Sequence, residues 1–286
     1  MKRPHSIKRA QSISSGIIYT VLSALSVVWI IPLVFLVLHS FRAEKGAAIK
    51  YIIPKEFTLD NYKKLFTDTS LFNFPRWYLN TLLVAIATCI LSTFFVLTIS
   101  YALSRLRFRG RTGLLNMGLV LNMFPGFMSM IAVYFILKAI GLTQSLVSLV
   151  LVYSGGAALG YYIVKGFFDT IPRALDEAAL IDGASKARVF LSITLPMSKP
   201  IIVYTILTSF IAPWMDFIFA SVIMKDNYNK YTVAIGLFQM ISRENIYEYF
   251  TVFCAGSVLV AVPIALLFIF MQKFYVEGIA GGAVKG

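Results

Sequence analysis

Long apolar runs separated by short polar links set the pattern of this chain. A helix needs about 20 apolar residues to cross the ~30 Å hydrocarbon layer of a bilayer. Runs of that length occupy residues 16–41, 80–104, 114–137, 145–164, 201–224 and 250–271. A buried soluble core does not account for such lengths recurring through one chain, so the pattern predicts an all-α integral membrane protein with six transmembrane helices. The first run is too long for the ~7–15-residue apolar core of a signal peptide and reads as a retained helix. Pro125-Gly126 falls inside the third run and predicts a kink or local unwinding there. Gly156 and Gly160 form a G-x-x-x-G in the fourth, a spacing that predicts close helix packing.

Composition agrees with a lipid solvent. Only 14% of residues are charged and 58% are hydrophobic, with a mean hydropathy of +0.79, against about 25% charged in a soluble domain. The net charge of +13 invites a nucleic-acid reading, but the basic residues lie in short links between apolar runs and not on a water-soluble surface, so no nucleic-acid partner is expected. Their distribution instead sets orientation. Lys2, Arg3, Lys8 and Arg9 precede the first span, and Arg105, Arg107, Arg109 and Arg111 crowd the link between spans two and three. By the positive-inside rule both termini are cytoplasmic, together with the link between spans four and five. The chain then divides into a cytoplasmic N-terminus (1–15), a six-span transmembrane domain (16–275) with a cytoplasmic loop at 169–200, and a cytoplasmic tail (276–286).

Hydrolytic chemistry finds little support. Cys89 and Cys254 lie in apolar runs without metal-ligand spacing, and the chain has only two histidines, His5 and His39. Asp169, Asp176, Glu177 and Asp182 share one link, yet none has a histidine partner at helical spacing. No G-x-x-x-x-G-K-[ST] phosphate loop occurs, so this chain is not expected to bind and split ATP in the P-loop manner.

The link itself reads as a helix–turn–helix. Pro172 suits a helix first turn, where its missing N–H costs nothing. Leu175, Ala178, Ala179 and Asp182 fall on one face, at i, i+3, i+4 and i+7. Gly183 can take a positive φ and end that helix, and Ser185 can cap a second helix running through Phe190. Pro196 and Pro200 close the segment and restart the chain as span five.

Glu177-Ala178-Ala179, three residues, Gly183, nine residues, Ile193-x-Leu195-Pro196 resembles the signature loop of permease subunits in bacterial ABC importers. The resemblance extends along the chain. Phe57-Thr58-Leu59-Asp60-Asn61-Tyr62 with Leu65-Phe66, Asn80-Thr81 opening span two, and the tail Ala280-Gly281-Gly282-Ala283-Val284-Lys285-Gly286 are similar to MalG-type permeases of carbohydrate importers. Trp214-Met215-Asp216-Phe217 resembles that family's W-N-[DE]-[FY], with Met215 in place of the asparagine.

This resemblance implies a type I importer permease fold in the bacterial cell membrane, a transport subunit and not an enzyme, with no cofactor or metal of its own. It implies a heterodimer with a second permease, two ATPase subunits carrying ATP and Mg, an extracellular sugar-binding protein, and a carbohydrate substrate of the maltodextrin type or a related oligosaccharide. Glu177 would anchor the loop to a basic group on an ATPase, Ala178 and Ala179 would give close contact, Gly183 the turn, and Asp182, Ile193, Leu195 and Pro196 complete the coupling loop. Gly281, Gly282 and Lys285 would reach towards the ATPases.

Translocation-path candidates are Pro125, Gly126, Tyr134, Trp214, Asp216 and Phe217. For Asp216 a structural hydrogen bond to a neighbouring helix is an equal alternative to a place in the path, because an unpartnered carboxylate inside a span is costly. Uptake of another solute such as glycerol phosphate would call for cations in the spans, which are poor in them. A stand-alone secondary transporter would call for an internal repeat, and none is visible.

Overall fold

A computed structural model describes the backbone of residues 5–47, 51–124, 126–158 and 160–283, and the side chains of all of these except 5–14, 127, 158 and 275–283. The elements are α1 (His5–Ser40), α2 (Asp60–Thr67), α3 (Phe74–Arg105), α4 (Arg111–Met123), α5 (Gly126–Ala139), α6 (Leu146–Ala158), α7 (Tyr161–Asp169), α8 (Arg173–Ile181), α9 (Lys186–Met197), α10 (Lys199–Met215), α11 (Ile218–Met224), α12 (Val233–Met240) and α13 (Ile246–Ala283). Among the described residues there is no strand, only an isolated bridge between Arg42 and Phe57. Ser15–Ser40, Phe74–Arg105, Leu146–Asp169 and Ile246–Phe274 are each long and apolar enough to cross a membrane, and two bent helix pairs raise the number to six if each pair is one span.

Two predicted spans differ from the sequence reading. The third is no single kinked helix: Arg111–Met123 and Met128–Ala139 meet at 107°. The fifth, expected as 201–224, breaks at Asp216-Phe217 between α10 and α11. Asp216 leaves the helix with ψ 107° and its Oδ1 then accepts the Phe219 N–H at 3.0 Å, capping the first turn of α11. Helices also outrun their apolar stretches. α3 begins at Phe74, six residues before Asn80, because Asn73 caps it by accepting the Arg76 N–H.

The chain forms two compact units. One comprises 1–68 and 240–259. In it the Asn61 amide donates to the Ser40 and Arg42 carbonyls at 3.0 and 2.8 Å and its oxygen accepts from Thr251 at 2.9 Å, while Tyr62 and Ser40 hydroxyls pair at 2.8 Å. The Asn61-Tyr62 dipeptide thus joins the end of α1 to α2 and the start of α13. The 18-residue apolar window of Ser15–Ser40 buries nothing.

The other unit, 69–239 with 260–286, is built around α3, which packs along α6, α7 and α10. At one end of α3, Trp77 is fully buried and donates to the Tyr228 carbonyl at 3.0 Å. Asn80 donates to the carbonyls of Asn229 and Tyr231, and Thr81 Oγ1 accepts the Val233 N–H at 2.8 Å at the start of α12. Thr81 therefore satisfies an orphan donor in the first turn of this short helix.

Candidate functional site

The 172–198 loop occupies the other end of α3. Pro172 sits one residue before the first turn of α8, not inside it, with φ −58° and ψ 126°. An αL glycine terminates α8: Gly183 takes φ +85°, its N–H donates to Leu180 O at 3.1 Å, and the Ala184 N–H reaches back to Ala179 O at 2.9 Å. This paired return is the Schellman motif, and it satisfies two carbonyls that the helix end would leave open. Ser185 then caps α9, accepting the Arg188 N–H at 3.3 Å.

α9 runs past Phe190, where the sequence reading ends it, and reaches Met197. Its middle widens into a π turn at Phe190–Thr194, with the Leu195 N–H donating to Phe190 O. The wide turn lies directly ahead of Pro196, whose ring and missing N–H oppose an ordinary α bond. The chain breaks at Ser198, and α10 leaves at 84° to α9.

Side chains of α3 fix the loop in place. The Arg105 side chain is 4% exposed; its guanidinium donates to the carbonyls of Phe168 and Ile171 at 2.7 and 2.8 Å and lies 3.3 Å from Asp176 Oδ2. One arginine thus holds the C-terminal carbonyls of α7 and the first turn of α8. Tyr101 donates to Lys186 O at 2.9 Å, and its ring meets Phe190 at 4.6 Å. Ser104 donates to Asp169 at 2.6 Å, and Lys165 pairs with the same carboxylate. Arg105 and Tyr101 are the residues that sequence reasoning missed. Arg105 entered it only as a topology charge; its place at the end of an apolar run, facing an acidic link, was the available signal.

α8 itself buries no residue. Leu175 and Leu180 are exposed, and Ile181 is 86% exposed. Glu177 and Ala178 face outwards, and Glu177 borders a hollow of about 310 Å³ with Arg105 and Arg173. Ala179, Asp182, Gly183 and Ile193 border a second hollow of about 340 Å³ with Arg188 and Ser192. Leu195 is half-buried and Pro196 exposed at the far end of α9.

The path candidates are not gathered at one place. Asp216 has both oxygens engaged within the chain, Oδ2 accepting from Tyr153 at 2.6 Å. Trp214 is buried edge-on against Tyr78, and Phe217 lies 4.2 Å from the Phe238 ring. Tyr134 on α5 carries Lys225 over its ring, and Gly126 opens α5. Pro125 lies outside the described residues. Instead α3, α4, α6, α7 and α10 border an open hollow of about 460 Å³ in which Thr88, Ser92, Tyr204 and Thr208 take part and none of the six candidates does. Gly156 and Gly160 line this hollow. A Cβ at Gly156 would touch nothing within 4 Å and one at Gly160 only the Ala157 carbonyl oxygen, at 3.0 Å, so among the described residues no helix packs against this G-x-x-x-G face and the spacing leaves room for the hollow. Gly281 and Gly282 belong to the last turn of α13, and Lys285 lies outside the described residues. Among the described residues no cluster of His, Cys, Asp and Glu is arranged to hold a metal.

Comparison with known proteins gives these features a setting. The sequence profile of the binding-protein-dependent transport system inner membrane component matches residues 95–278. The galactooligosaccharide transport system permease protein GanQ of Bacillus subtilis strain 168 is 36% identical over 269 residues, 94% of each chain. The maltodextrin transport system permease protein MdxG of the same organism is 36% identical over 94% of this chain and 95% of its own. A crystal structure of a bacterial ABC transporter that imports the acidic polysaccharide alginate contains a chain that superposes with a TM-score of 0.77 at 22% identity, covering 93% of this chain and 98% of that one. Helices and apolar spans define an all-α integral membrane protein with an importer permease fold. The chain belongs to the family of binding-protein-dependent transport system inner membrane components.

Proposed function

We propose that this chain is one of two different permease subunits of an ATP-driven sugar importer, taking up maltodextrin or a related oligosaccharide. Six spans place both termini and the 169–200 loop in the cytoplasm, with 1–15 and 276–286 as cytoplasmic ends of a 16–275 permease domain. A second permease completes the path, two ATPase subunits supply ATP and Mg, and an extracellular binding protein delivers the sugar. The chain itself performs no covalent step. Its part is to hold two conformations and pass to the spans the bias set by ATP.

The observation that carries this reading is α8: a capped helix that buries none of its own residues, presents Glu177, Ala178 and Ile181 outwards, and is tied by Asp176 and Arg105 to the end of α3. A helix of nine residues is marginal alone in water, so its rigid mounting suits a part that pushes against another protein. Glu177 anchors it, Ala178 and Ala179 let the ATPase surface approach, Asp182 and Gly183 end it, and Ile193, Leu195 and Pro196 carry the motion into α10. The glycine-rich tail with Gly281, Gly282 and Lys285 reaches the ATPases from the other end of the chain. The sugar assignment is supported by the names of the relatives GanQ and MdxG.

Glu177→Lys in the assembled complex tests it. The variant inserts and assembles, but sugar uptake in proteoliposomes and the stimulation of ATPase by the binding protein both disappear. Wild-type uptake by that variant would refute the coupling role.

A further inference from the structure

Two hollows at helix depth differ sharply in chemistry. One, of about 350 Å³ beside α3 and α4, has a wholly apolar surface bordered by Ile99, Leu103, Met117 and Leu121. The other is the 460 Å³ hollow described above, rich in hydroxyls. Thr88 and Ser92 border it from the two central turns of the 32-residue α3, about 20 Å along the helix from either end.

Hydroxyls at such depth ordinarily satisfy themselves by donating to the carbonyl four residues back. Thr81, Thr98, Thr205, Thr208 and Ser257 all do so here. Thr88 and Ser92 do not. They are 1% and 0% exposed, and their oxygens have no hydrogen-bond partner. An unpartnered polar atom away from water costs free energy, the more so in a bilayer. Thr93, Ser154, Thr194 and Thr232 are likewise unpartnered, but of these six Thr88 and Ser92 are the two that share a helix face, one turn apart, on the lining of one hollow, where a hydrogen-bonding guest can complete them.

We propose that this hollow is a sugar subsite contributed by this chain, in which the Thr88 and Ser92 hydroxyls bond to hydroxyls of a neutral saccharide as it crosses. The inference rests on the sugar-importer reading. Among the described lining residues none is charged, so an anionic solute would find no counter-ion. Tyr204 is on the lining as well, and an aromatic ring is a surface on which a sugar ring can lie. Gly156 and Gly160 leave the opposite wall open, and the volume falls in the ~300–1,000 Å³ range of small-molecule pockets.

The test compares wild type, Thr88→Val with Ser92→Ala, and Gly156→Leu in the complete complex with its partner subunits in proteoliposomes. Labelled maltotriose and galactotriose are supplied at saturating binding protein. Each lost hydroxyl bond slows uptake roughly three- to tenfold, the worth of an ordinary hydrogen bond. Gly156→Leu, which fills the floor, blocks the trisaccharides, and in both variants stimulated ATPase stays near wild type. Wild-type uptake by both variants overturns the subsite, and parallel loss of uptake and ATPase overturns it in favour of a purely structural role. Failure of the wild-type complex to import either sugar removes the underlying sugar reading, which is a distinguishable result.

Discussion

Replacing Arg105 by Gln removes an α3 side chain that reaches both the end of α7 and the first turn of α8. Two carbonyls, those of Phe168 and Ile171, lose their donor, and Asp176 loses the guanidinium 3.3 Å away. Removing one member of a buried ion pair costs about 3–5 kcal/mol. Asp176 is 13% exposed and can turn part-way to water, which puts the expected cost at the low end, about 3 kcal/mol. At 1.4 kcal/mol per tenfold, the detached state of the loop becomes roughly 100-fold more populated. Asp176→Asn keeps both carbonyl bonds and an amide in place, so it costs about 1 kcal/mol, the worth of one modest hydrogen bond. The double variant is cheaper than the sum by ~1–2 kcal/mol, because the charge stranded in Arg105→Gln is then absent.

Limited trypsinolysis of the solubilised protein reads this directly. Cleavage after Lys186 and Arg188 reports the open population when opening is fast relative to cutting. Arg105→Gln accelerates that cleavage most, Asp176→Asn a few-fold, and the double variant falls between them. Cleavage of Arg105→Gln at the wild-type rate, or strict additivity of the two changes, would show that the pair does not hold the loop.

Two further substitutions probe glycines. At Gly183 a Cβ meets nothing within 4 Å, so the φ of +85° alone sets the penalty. Gly183→Val therefore costs about 1–2 kcal/mol and lowers uptake, while Gly183→Asn, which tolerates the left-handed region, stays close to wild type. At Gly236 a Cβ would drive into the fully buried Trp77 ring. Gly236→Ala loses about 1–3 kcal/mol by overpacking and lowers the Tm of the solubilised protein, and an unchanged Tm would show that the Trp77 ring moves aside freely.

Much of the helix content was legible because lipid demands it: the runs at 80–104 and 250–271 each lie inside one long helix, the run at 16–41 mostly does, and the run at 145–164 is divided between α6 and α7. Their ends were less so. A helix continues until a cap or a strained residue stops it, so α3 starts at a capping Asn73 and α7 continues through the Lys165–Asp169 pair. Pro125-Gly126 announced a break, but the 107° turn between the flanking helices follows from how they pack, which local sequence does not encode. In the loop, Gly183 and Ser185 declared themselves through backbone chemistry. Arg105 lies 71 positions before Asp176, and its role exists only once α3 is packed against α7. Asp216 showed the opposite limit. The sequence left a pathway and a structural bond in balance, and both of its oxygens are met by Tyr153 and the Phe219 N–H.

The π turn at Phe190–Thr194 bears on how this loop tolerates insertions and deletions. It takes one residue more than an α turn needs, so losing a residue inside it would restore an ordinary α turn and leave the flanks nearly aligned, whereas losing one between Ser185 and Phe190 would swing everything before it by about 100° about the axis of α9. In the second case the Ser185 cap, the Gly183 turn and the outward face of α8 would all be re-aimed relative to Leu195 and Pro196. Side chains in the stretch can be exchanged while the geometry stands, and a change of length by one is absorbed only at the wide turn. Between Gly183 and Phe190 the number of residues is therefore expected to be held more strictly than their identity.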